Sequence, residues 1–110
     1  MIDKMTIARR KCARGTLLQM LYDNQIAAVM LRSMEYAMMP DDPHISSEIG
    51  SHIYYLADKG YVKVYVDGEP LVLDKNPTRE ALVRLTAKGI DLMEGTIEDN
   101  GVAFGDPSRQ

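Results

Sequence analysis

His44, Ser46, Ser47 and His52 stand close together, and a hydroxyl beside an imidazole is the minimum equipment for nucleophilic catalysis. The rest of such a site is missing. His44 and His52 are the only histidines, no third group is placed to orient either one, and serines just ahead of an apolar helical stripe are the type that caps a helix start. Cys12 with two scattered histidines lacks paired-ligand spacing, so neither a metal nor a cofactor is expected. Neither G-x-x-x-x-G-K nor G-x-G-x-x-G occurs, which removes the common phosphate-cradling loops. These observations point away from an enzyme.

A different chemistry is available between residues 46 and 59. Ile49, Ile53 and Leu56 recur at spacings of 4 and 3 and form one buried helical stripe, while Ser47, Ser51, Tyr54 and Tyr55 lie off it. Hydroxyls and aromatic edges can hydrogen-bond and contact base edges in a DNA major groove, and Gly50 permits close backbone approach. No Arg or Lys precedes Lys59 in this segment, a departure from the commonest guanine-reading arrangement. His52 flanks the buried stripe and reads as structural. One of Tyr54 and Tyr55 is expected to half-bury its ring against a neighbouring helix.

The elements that must position this segment follow from periodicity and punctuation. A first helix is expected from near Thr6 or Arg14 to Tyr22, burying Leu17, Leu18 and Leu21, with Gly15 leaving its start open. A second, from about Ile26 to Met38, places Ile26, Met30, Met34, Ala37 and Met38 on one stripe, where the methionines serve as core filler. Pro40, Asp41, Asp42 and Pro43 break the chain. Ser46 or Ser47 then caps the third helix, or Asp42 and Pro43 begin it, and Glu48 suits its first turn. Lys59 ends it and Gly60 supplies a left-handed cap. Val62, Val64 and Val66 alternate with Lys63, Tyr65 and Asp67 as a strand does. Asp67 and Gly68 signal a hairpin returning through Leu71 to Leu73, and a further strand is expected at Ala81 to Leu85. Thr86 starts a short helix to about Glu94, and Gly95 stops it.

The pattern formed by Ile53, Leu56, Lys59, Gly60, Tyr61 and Val62, and the later run Arg84, Leu85, Thr86, Lys88 and Gly89, resembles the winged helix-turn-helix superfamily, in particular small bacterial DNA-binding regulators. The resemblance covers roughly residues 14 to 95. It implies an α+β chain: one winged-helix domain over residues 1–97, with three to four helices, a β-hairpin wing and a short C-terminal helix. The recognition helix would span about 46–59 and the wing about 61–85. A long two-stranded wing with residues 67–80 as its tip is favoured over a three-stranded meander, because Leu85 and Thr86 must return beside Val62. The wing would then lie along the phosphate backbone, where Lys75, Arg79 and Arg84 supply charge, unless Arg84 pairs instead with an acidic neighbour across the ribbon. Residues 98–110 carry few apolar anchors and are expected to form a flexible tail dispensable for folding, or to dock only through Val102 and Phe104.

The formal charge of −3 argues against a uniformly basic nucleic-acid binder. Its distribution is uneven: Lys4, Arg9, Arg10, Lys11 and Arg14 against Asp3 alone give residues 1–15 a charge of +4, leaving −7 for the rest. Arg9, Arg10, Lys11 and Arg14 are therefore either candidate DNA contacts or charges that solvate an N-terminal helix, while Asp67, Glu69 and Asp74 oppose binding by the wing. One cysteine excludes an intrachain disulfide, no apolar run exceeds Ile26 to Leu31, and no hydrophobic segment follows Arg9 to Lys11 before Gly15. A cytoplasmic protein without a membrane span is expected. Ile90, Leu92, Met93 and Ile97 either form a homodimer interface or close the core over the first helix. Two readings of function stand: a dimeric transcriptional regulator that binds double-stranded DNA, and a winged-helix protein-interaction module with no nucleic-acid role.

Overall fold

A computed structural model describes residues 2–24, 27–70 and 80–104. The first helix, α1, is Lys4–Asp23, and it begins earlier than its apolar stripe because Asp3 accepts a hydrogen bond from the Thr6 N–H at 2.8 Å. It passes through Gly15 without a break. A Cβ there would stand 1.9 Å from the Ala103 carbonyl oxygen, so this glycine serves close packing against the 98–104 segment. Ala13, Leu17, Leu18 and Leu21 are the buried side of α1.

The expected second helix is shorter than its periodicity suggests. Val29–Met30 is a strand, β1, and α2 is Leu31–Met38. β1 pairs antiparallel with β4, Leu82–Leu85, matching Val29 to Val83 and Met30 to Leu82. Two residues carry no period of their own, so only the open edge of β4 specifies this strand. The buried stripe of α2 consists of Leu31, Met34, Glu35 and Met38, while Met30 and Ala37 face solvent.

The third helix, α3, is Ile45–Asp58, one residue ahead of the expected serine caps. Neither serine caps it: Ser47 Oγ donates to the His44 carbonyl and Ser46 Oγ donates to Glu35, while Asp42 secures the turn by accepting from the His44 N–H at 3.0 Å. At the other end the Tyr61 N–H reaches the Leu56 carbonyl and the Gly60 N–H reaches that of Ala57, the paired bonds of a Schellman motif, with Gly60 at φ +85°. Gly60→Val is expected to cost about 1–3 kcal/mol, because a β-branched residue is strained at that φ. A thermal transition unchanged from the parent would refute the cap.

Val62–Val66 is β2 and Glu69–Pro70 is β3, joined by Asp67 and Gly68 at φ 53° and 81°. Two positive φ values are what a type I′ hairpin turn needs. The sheet order is β1-β4-β2-β3, all antiparallel. β2 thus lies between β3 and β4, an arrangement that is neither a meander nor a simple two-stranded ribbon. Leu71 to Leu73 lie outside the described residues. Val62, Val64, Val83 and Leu85 point into the core, and Lys63, Leu82 and Arg84 point out. Thr86 caps α4, Ala87–Met93, by accepting from the Gly89 N–H. Leu92 is buried, and Ile90, Met93 and Ile97 pack against the same core, so this group closes the core over α1.

The chain beyond Ile97 docks where the sequence places a tail. Val102 is buried, the Ala103 N–H donates to the Lys11 carbonyl at 3.1 Å, and Arg14 donates to the Gly101 carbonyl at 3.0 Å. Asp99 accepts from the Tyr61 hydroxyl at 2.6 Å and the Gly101 N–H at 2.7 Å, and pairs with Lys59 at 3.3 Å. Residues 98–104 therefore belong to the body, and among the described residues one core serves the helices and the sheet. Among the described residues, no helix is long and apolar enough to cross a membrane.

Candidate nucleic-acid interface

α3 presents two different sides. Ile45, Ile49, Ile53 and Leu56 are buried and fix the helix to the body. Ser47, Ser51 and Tyr54 are exposed on the opposite side, and Gly50 has open space where a Cβ would stand. These four make a ridge of hydroxyls with a gap in it, and Asp58 continues the ridge as its only charge. Hydrogen bonding to polar edges is the chemistry this surface offers.

Tyr55 is not part of that ridge. Its half-buried ring lies 4.0 Å beneath the Arg14 guanidinium and 5.6 Å from Lys59 Nζ, so it helps clamp the 98–104 segment. Of the two tyrosines, Tyr54 alone faces solvent. Tyr61 belongs to the same clamp, and burial together with Asp99 pushes its phenol up to about 12.

The three N-terminal arginines have intramolecular partners. Arg9 donates through both terminal nitrogens to Glu48, at 2.8 and 3.1 Å, and approaches Asp42 at 3.4 Å. Arg10 Nε donates to Glu48 at 3.1 Å, and Arg14 is held by Gly101 and Tyr55. Lys11 is half-buried beside its contact with Ala103. The hydrogen bonds from Arg9, then those from Arg10, hold the Glu48 carboxyl at about 2 despite its partial burial. The three arginines of the +4 segment are thereby tied to α3, the turn before it and the 98–104 segment. Sequence spacing could not reveal this, since the partners are 38 and 39 residues apart.

His52 sits inside the same junction, 2% exposed, with its Nε2 3.6 Å from Glu48 and without a hydrogen-bond partner among the described residues. Burial, followed by the nearby Arg14 charge, lowers it to about 4, so it is neutral at pH 7.

A cationic pair lies on the outer face of the sheet. Lys63 and Arg84 are directly opposed in the β2–β4 register, and both are exposed. Arg84 donates to the Tyr65 hydroxyl at 3.2 Å and lies 5.9 Å from its ring centroid. Among the described residues neither cation has a carboxylate partner, and like charges in this position oppose sheet pairing. Lys63 was readable from the Val62, Val64, Val66 alternation, which turns it outward beside the expected Arg84. Lys75 and Arg79 lie outside the described residues. No protein family, curated protein or solved structure matches this chain.

Proposed function

We propose that this chain is a winged-helix transcriptional regulator that binds double-stranded DNA, with α3 in the major groove and the β2–β4 ribbon along the phosphate backbone. The observation that carries the reading is the outward ridge of Ser47, Gly50, Ser51 and Tyr54 on a helix whose other side is locked into the core. The order α1-β1-α2-α3-β2, with β1 paired to the later strand β4, supports the winged-helix assignment. Lys63 and Arg84 replace Arg9, Arg10 and Arg14 as phosphate contacts, and Lys75 and Arg79 extend the same role. Two copies reading two half-sites in the cytoplasm complete the proposal, with exposed Ile2, Met5 and Ile7 at the start of α1 as the apolar surface available for pairing.

One observation favours a protein-interaction module instead: the N-terminal arginines are already paired, and α3 offers Asp58 but no cation on its outward face. Salt titration separates the two. Duplex affinity is expected to fall linearly in log salt, and Lys63→Gln with Arg84→Gln to reduce the slope by about 2, one for each phosphate no longer neutralised. Ser51→Ala and Tyr54→Ala should change preference among sequences more than the slope. Absence of duplex binding at low salt by folded protein would overturn the DNA reading in favour of the interaction module.

A further inference from the structure

α1, α2 and the turn after α2 leave a cleft of about 270 Å³ between them, with none of the outward α3 residues in its wall. Cys12, Met20, Ala37 and Met38 supply an apolar lining, and Asp41 and Asp42 stand at one end beside Arg9. Arg9 and Asp42 are occupied, since Arg9 is forked onto Glu48 and Asp42 accepts from Arg9 and from the His44 N–H. Asp41 is exposed and has no ion-pair partner among the described residues. The turn that carries it is anchored, because the N–H groups of Asp41 and Asp42 both donate to the Met38 carbonyl, at 3.1 and 2.9 Å. An incoming molecule therefore meets a soft apolar wall and one available carboxylate. Asp41, Asp42 and Glu48 outnumber Arg9 and Arg10 at this end, so the local field also favours a cation.

Size narrows the class further. The volume exceeds the roughly 150 Å³ of a cavity known to hold benzene. It falls just below the roughly 300–1,000 Å³ of sites for drug-sized ligands. We propose that the cleft is a binding site for a small amphipathic amine, a single-ring hydrocarbon body against Met20 and Met38 with its ammonium on Asp41. This site stands independently of DNA binding.

The test is a titration of the full chain, ¹³C-labelled at the methionine methyls, with 2-phenylethylamine and with 3-phenylpropionate, of similar size and opposite charge. The amine is expected to shift the Met20 and Met38 signals saturably, and the acid to bind about tenfold more weakly, the size of one charge-assisted hydrogen bond. Asp41→Asn should weaken the amine by about the same factor, and Ala37→Leu should block it by filling the cleft, with the thermal transition confirming that both variants fold. Equal binding of amine and acid by the parent, an amine response unchanged in both folded variants, or no saturable shift would overturn the proposal.

Discussion

Truncation after Ile97 is expected to lower the stability of the domain by about 4 kcal/mol, combining the burial of one valine with two stranded polar groups. The loss removes Val102 from the core and withdraws Asp99 from the Tyr61 hydroxyl and the Gly101 carbonyl from Arg14. It also uncovers the face of α1 at Gly15, where no side chain can fill the gap. Val102→Ala should reproduce only the packing part, about 1–1.5 kcal/mol. Denaturant midpoints for parent, truncation and point variant would check both values, and a truncated chain as stable as the parent would refute the docking.

Acid should weaken the fold in two overlapping steps. His52 has a folded value of about 4 against an ordinary 6.5, so the unfolded chain takes the proton first. Its contribution is complete above pH 6.5 and is lost as pH falls towards 4, by up to about 3 kcal/mol. Glu48, held at about 2 against 4.5, adds a second loss as pH falls from 4.5 to 2. Its partial exposure reduces that loss to about 2 kcal/mol. Urea denaturation between pH 7 and 2 would measure both. His52→Asn should flatten the upper part of the profile and Glu48→Gln the lower, and a parent profile flat from pH 6.5 to 4.5 would exclude the histidine step.

The sequence was most legible where a single local rule governs the backbone. The Ile49, Ile53, Leu56 stripe, the left-handed Gly60, the Asp67–Gly68 turn and the Thr86 cap each depend on neighbours a few residues away, and each stands as read. Contacts decided by distant partners were not legible. β1 exists because β4 offers an edge, and Gly15 lies inside α1 rather than at its start because the Ala103 carbonyl packs where a side chain would stand. Arg9 and Arg10 look like free cations in one dimension, yet Glu48 and Asp42 claim them in three. The docking of residues 98–104 was legible only through Val102, since the polar bonds that also hold the segment have distant partners and no periodic stripe announces them, while Phe104 stays exposed. The outward serines and Tyr54 were placed correctly because the buried side of α3 determines where they point.

The bond from Arg14 to the Gly101 carbonyl joins residues 87 positions apart, and the Ala103 contact with Lys11 spans still more of the chain. α1 therefore leaves the ribosome well before the segment that seals it. Until residue 103 has cleared the exit tunnel, the seam along Gly15 stands open and Tyr61 lacks its carboxylate. Folding of such long-range closures is slow relative to local helix formation. A newly made chain should thus hold its helices and sheet before it acquires full resistance to proteolysis, and the last protection to appear should be at α1.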